Sequence, residues 1–241
     1  MRASRFVTLA WVVAVAFFLG TVLFAVGRLN LVAQPPVFPD TANLVDRILG
    51  SIDYRHAIWP VFLATNVLFA VGFAALVPFA IAMPRGGQGS DRPLGPGLLA
   101  LGGIFGAIAS LVTVGSVDPS ITTPYCDCGF KEQEVVSQAW ALMITGGVAN
   151  WLLQAASVTA GIAILLLRSE RAANMPWRVQ SLSVIAAAVL IVTPVVAWLG
   201  LPDPLPDLLT AVTGGMMVPI WAIWTGRALD AGPSYVAGQP S

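Results

Sequence analysis

The chain has 241 residues, 57% of them hydrophobic and only 10% charged, with 12 basic side chains balanced by 12 acidic ones, and its mean hydropathy is +0.81. A water-soluble domain carries about 25% charge, so this chain lacks the polar surface to cover itself in water, and no basic patch invites nucleic acid. Two cysteines are too few for a disulfide framework, and a single histidine excludes a metal cluster built from histidine alone.

Arg2 and Arg5 precede the apolar run 6–27. That has the outline of a secretory signal, but a signal core is about 7–15 residues long, whereas this run is longer and lacks a small-x-small site at its end. It is read as a first, retained span. In the connection that follows, Pro35, Pro36 and Pro39 stiffen the chain, and Asp40 or Thr41 can cap a short helix. Over 41–50, Leu44, Val45, Ile48 and Leu49 share one face and Asn43, Asp46 and Arg47 the other. This predicts a short amphipathic outer-loop helix lying on the membrane surface or against the mouth of the bundle.

Span two is expected over 58–83, with Asn66 and Gly72 inside it and Pro78 towards its end. A Gly- and Pro-rich turn leads to span three, 98–117, in which Gly102, Gly106 and Ser110 recur at every fourth residue. Small residues at that spacing let two helix backbones approach closely, so they are expected to form one helix-packing face. The next connection carries Tyr125-Cys126-Asp127-Cys128-Gly129-Phe130. Span four, 137–167, is the longest run without a charge. Asn150 and Gln154 lie one helical turn apart in it, and Ser157 and Gly161 continue the same face. An unpaired amide in hydrocarbon costs several kcal/mol, so that face is expected to look inward and make span four the hub of the bundle. A charged turn leads to span five, 181–200, interrupted by Thr193-Pro194. Span six, 208–226, holds Gly214, Gly215 and Pro219. One transmembrane domain thus covers residues 1–227, and 228–241 form a polar tail. The fold class is all-α: a polytopic six-transmembrane-helix bundle.

Charge orients it. The N-terminus, the second and fourth connections and the tail hold Arg2, Arg5, Arg85, Arg92, Arg168, Arg171, Arg178 and Arg227 against only Asp91, Glu170 and Asp230. The opposite side is acidic. The bias of arginine and lysine towards cytoplasmic loops therefore puts both termini in the cytoplasm, with the protein in the cytoplasmic (inner) cell membrane. No charge falls within a span, which argues against a proton pump, a voltage sensor or an ordinary ion-coupled carrier.

Three short pieces look familiar: Thr41-Ala42-Asn43 ahead of span two, Asn174-Met175-Pro176-Trp177-Arg178 ahead of span five, and Trp221-Ala222-Ile223-Trp224-Thr225-Gly226-Arg227 closing span six. With these pieces and the order of its spans, the chain resembles a bacterial six-span integral membrane family of unknown function. The resemblance implies a fold and no activity.

The chemistry-bearing residues admit a bland and a sharp reading each. Cys126 and Cys128 are a redox or disulfide candidate on the non-cytoplasmic side, where a bond across one residue closes a small, strained ring. Asp127, Glu132 and Glu134 would raise their thiol pKa values, and a structural or incidental pair is the bland alternative. His56 with Cys126, Cys128 and an acid such as Asp127 is a weak metal candidate without the usual ligand spacing. Asn66, Asn150, Gln154, Ser157 and Thr193 either line a ligand path or hydrogen-bond between helices as packing glue. No catalytic constellation or cofactor motif is visible. The expected function is a membrane module (subunit, chaperone or sensor) that binds a partner protein, a second copy of itself or a small lipophilic ligand. The alternatives are a carrier for a neutral solute through spans two and four, and an extracytoplasmic thiol redox protein.

Overall fold

Inside hydrocarbon every backbone N–H and C=O must be paired within its own segment, so long apolar runs become long helices. The computed structural model describes residues 3–34, 37, 39, 47, 50, 54, 57–83, 94–117, 132–171, 175–199 and 205–231. The helices are α1 (Ala3–Arg28), α2 (Trp59–Ala82), α3 (Leu94–Val117), α4 (Glu132–Arg171) and α5 (Trp177–Trp198). The sixth span comes in three pieces: α6 (Leu205–Val212), a π-helical segment Thr213–Met217, and α7 (Val218–Ala231). No strand occurs among the described residues. Six helices are long and apolar enough to cross a bilayer, so the chain is an all-α, multi-pass membrane protein. The expected helix over 41–50, His56 and the Cys126/Cys128 pair lie outside the described residues, apart from Arg47 and Gly50, which are helical.

Several boundaries differ from the sequence expectation, for local reasons. The third span starts at Leu94 rather than at residue 98, because Pro96 falls in the first helical turn, where its missing N–H costs nothing. The fifth starts at Trp177 rather than 181, directly after Pro176 at the N-cap. Charge does not end a helix, so α4 continues through Glu132 and Glu134 at one end and Arg168 and Arg171 at the other. Its 40 residues rise about 60 Å, twice the roughly 30 Å of a hydrocarbon core. The last helix runs to Ala231, into what the sequence suggested as tail. At the end of α1, Asn30 takes φ 55°. The Asn30 N–H donates to Gly27 O and the Leu31 N–H to Val26 O, the paired bonds that close a helix with a left-handed residue.

The spans form a ring. α1 packs against α2 and α7, α2 against α3, α3 against α4, α4 against α5, and α5 against the sixth span. This corrects the idea of span four as a hub. α4 has α3 and α5 as its main neighbours, and much of its first half is exposed, including Trp140, Met143, Ile144, Val148 and Trp151. The ring closes because glycines let backbones touch. A Cβ on Gly226 would lie 2.6 Å from Ala10 Cβ, one on Gly103 2.7 Å from Phe73 O, and one on Gly161 3.0 Å from Ala187 O. The stripe expected as a single packing face is divided between two neighbours. Gly102 lies against Ala156 and Ala160 of α4, whereas Gly106 lies under the Phe73 ring of α2. Ser110 is buried and donates back to Gly106 O at 2.9 Å.

The outward surface is apolar too. Trp11, Val15, Phe18 and Val22 make an exposed stripe along α1, and Leu101, Ile104, Ile108 and Leu111 make one along α3. Stripes of this length on one molecule are what lipid tails cover. At one end of the ring Arg28 and Asp207 pair at 2.8 Å, with the arginine side chain 57% exposed. Such a pair adds at most about 1 kcal/mol.

A central cavity with an uncharged polar rim

A ring of six helices whose inward side chains do not meet leaves a space on its axis. Here it is a cavity of about 170 Å³ lined from all six spans. Its deep part is apolar. α1 contributes Phe17, α2 contributes Phe69, Phe73 and Leu76, and α3 contributes Leu99. Ile164 of α4, Leu190 of α5, and Val218 and Trp221 of α7 complete this wall. Phe17 meets Phe73 edge to face, with ring centroids 4.8 Å apart. Phe79, behind the wall, meets Trp221 in the same way at 6.2 Å. The Trp221 indole N–H donates to Ser183 Oγ at 3.1 Å, and Ser183 in turn donates to Val179 O at 2.7 Å.

The rim is polar and carries no charge. Asn150, Gln154 and Ser157 reach it from α4, Thr193 from α5, and Thr210 and Thr213 from α6 and the π segment. Four of the five polar residues singled out in the sequence thus come together, and the fifth does not. Asn66 is half-buried on α2, donates to Phe62 O of its own helix at 2.9 Å and does not line the cavity. Gln154 is buried and accepts from the indole N–H of Trp198 through Oε1. Trp198 also packs against Trp151, with ring centroids 5.3 Å apart. Asn150 is exposed although it lines the cavity, so it stands at the mouth rather than in the core. Trp198 as the partner of Gln154 is not legible in the sequence, because the tryptophan sits at the end of span five, where the pattern signals only an interfacial anchor.

Helix irregularities shape the opposite wall. Pro194 is buried and lines the cavity, and with no N–H it gives the Leu190 carbonyl no i+4 partner. In the sixth span Val218 N–H reaches back to Thr213 O, the wider turn typical of a π-bulge. Gly214 and Gly215 allow this segment to press on Thr21. A Cβ on Gly214 would lie 2.7 Å from Thr21 Oγ1. The Thr21 hydroxyl, like that of Thr225, is buried without a hydrogen-bond partner. At the other end of the bundle the Glu170 carboxylate accepts from Gly95 N–H at 3.2 Å, placing a negative group at the start of α3, where the helix dipole favours it.

Among the described residues no group of three or more metal-ligating side chains gathers. Compared with family models, curated proteins and solved structures, the chain finds no match.

Proposed function

We propose that this chain is a non-enzymatic membrane module whose bundle holds a small, uncharged, lipophilic ligand in its central cavity. One observation carries the reading: uncharged polar side chains from four separate segments converge on the rim of a space otherwise walled by aromatic and aliphatic side chains. Packing glue alone would bring amides and hydroxyls into contact with one another, not arrange them around a void. An apolar pocket with a few convergent polar groups is the usual form of a small-molecule site. Supporting it, the cavity offers no charge to neutralise an ion.

The test is chemical. Protein extracted from native membranes in mild detergent is expected to carry a lipophilic compound detectable by mass spectrometry of an organic extract. Ser157→Phe, which fills the cavity from α4, is expected to lose that compound and keep its helical content. Retention of the same compound at the same stoichiometry in the variant would overturn the reading. A carrier for a neutral solute is the second reading, favoured by the exposure of Asn150 at the cavity mouth. It requires that the compound exchange across vesicles, which a bound module does not do.

The setting belongs to the same proposal: a bacterial cytoplasmic membrane, both termini inside, and membership of the six-span family suggested by the three short motifs. The arginine asymmetry supports the orientation. An impermeant thiol reagent is expected to label Cys126 and Cys128 on intact cells after reduction. Labelling only after lysis would reverse the topology.

A further inference from the structure

Resting on that reading, we infer that the head of the ligand is a hydroxyl, an alcohol or phenol, held by Thr193 and Thr213. Each threonine hydroxyl has one proton to give. Thr193 Oγ1 gives its proton to Val189 O at 2.7 Å, and Thr213 Oγ1 gives its own to Leu209 O at 2.6 Å. A carbonyl cannot donate, so both protons are spent. The two Oγ1 atoms nevertheless face each other at 3.4 Å across the joint between α5 and the sixth span. At that distance one hydroxyl can instead give its proton to the other, and in either arrangement both protons stay within the wall. Leu190 also lines the cavity, and Pro194 leaves its carbonyl without the usual i+4 N–H, a third acceptor on this stretch of α5. This wall therefore accepts and does not donate. An O–H placed at the threonines can donate to a lone pair there, whereas a further acceptor finds no proton.

The facing amide is oriented as well. An indole N–H only donates, so the atom of Gln154 that meets Trp198 is its oxygen. The Gln154 NH2 is thereby left free for the rim, where it can serve an oxygen on the ligand. The two sides ask for different things: a donor at Thr193 and Thr213, an acceptor at Gln154. A hydroxylated amphiphile provides both, its apolar body lying along Phe73, Leu99, Ile164 and Trp221. An ether of the same shape presents a lone pair to two lone pairs and is rejected. A bare cation would suit three oxygens, but the cavity supplies no counter-charge.

The matched probes are 4-nonylphenol and its methyl ether, 4-nonylanisole, added to the full-length protein in nanodiscs with concentrations expressed per lipid. Thermal stabilisation is expected at about tenfold lower nonylphenol than nonylanisole, the ratio that one satisfied hydrogen bond supports. The preference is expected to collapse in Thr193→Val with Thr213→Val and to persist in Thr213→Ser, which keeps the oxygen. Equal stabilisation of the wild-type protein by both probes would overturn the hydroxyl assignment and leave the cavity reading intact, and so would a preference that survives the double valine change. If the double variant does not fold, the wild-type comparison still decides. Stabilisation by neither probe would overturn both. A rise with sodium ion in place of either probe would make the oxygens a cation site and remove the proposal.

Discussion

Gly106→Leu is expected to lower the melting temperature in detergent by many degrees, because there is no room for even its first carbon. A Cβ at Gly106 would lie 2.2 Å from Cδ1 of Phe73, far inside van der Waals contact. The ring cannot simply swing aside. Phe73 is buried and packed edge to face against Phe17 at 4.8 Å, and it forms part of the cavity wall. Accommodation means separating α2 from α3, which also breaks the close approach of Gly103 to Phe73 O. Overpacking a well-ordered core costs about 1–3 kcal/mol for extra methylenes that fit poorly, and a whole isobutyl group in a backbone contact belongs at or above the upper end. The same change at Gly147 is the control. Nothing lies within 4 Å of a Cβ there, so Gly147→Leu is expected to leave the melting temperature unchanged or raise it slightly, since replacing helical glycine recovers about 0.5–1 kcal/mol. Equal losses at the two sites would mean that glycine serves something other than helix contact on α3.

How much of this was legible beforehand depends on which physical signal each feature left. Hydropathy alone placed all six spans, because burial in lipid demands a long apolar run wherever a helix crosses. It missed the ends of α4 and α5, where helix propensity and Pro176 rather than hydropathy decide the first turn. Asn150, Gln154, Ser157 and Thr193 were picked out because polar atoms in hydrocarbon need a reason, and the cavity gathers all four. Asn66 carried the same signal with a different resolution. Its amide is satisfied by Phe62 O one turn back, a local bond that no sequence pattern distinguishes from a long-range one. The ring arrangement was not readable, since which helix meets which is fixed by contacts such as Gly226 on Ala10, nearly the whole chain apart. Thr213 was overlooked for a related reason. Its hydroxyl matters only because the π segment turns it towards Thr193, and a π-bulge leaves no composition signal beyond two glycines and a proline.

Trp221→Ala is expected to be the most damaging truncation in the bundle. The indole is 2% exposed, and it joins three helices at once. From α7 it meets the Phe79 ring of α2 edge to face at 6.2 Å, and it donates to Ser183 of α5 at 3.1 Å. In a water-soluble core, losing a tryptophan costs about 3–5 kcal/mol. Within a bilayer the part due to transfer from water falls away, because the separated helices also lie in hydrocarbon, while the dispersion contacts are still lost. A loss of about 2 kcal/mol or more is expected, read as a fall in melting temperature in nanodiscs. Trp221→Phe divides packing from hydrogen bonding. It keeps an aromatic face for Phe79 and strands no donor, since Ser183 still gives its proton to Val179 O at 2.7 Å. Its cost is expected to stay below about 1.5 kcal/mol, the scale of one net hydrogen bond. Should the phenylalanine variant lose as much as the alanine variant, the Ser183 bond and not the packing would be what closes the ring at α5. The alanine variant also opens the floor of the cavity, so it is expected to accept bulkier lipophiles than the wild type does. An unchanged melting temperature in Trp221→Ala would mean that the other contacts of α5 with the sixth span, Thr193 with Thr213 among them, hold the two together.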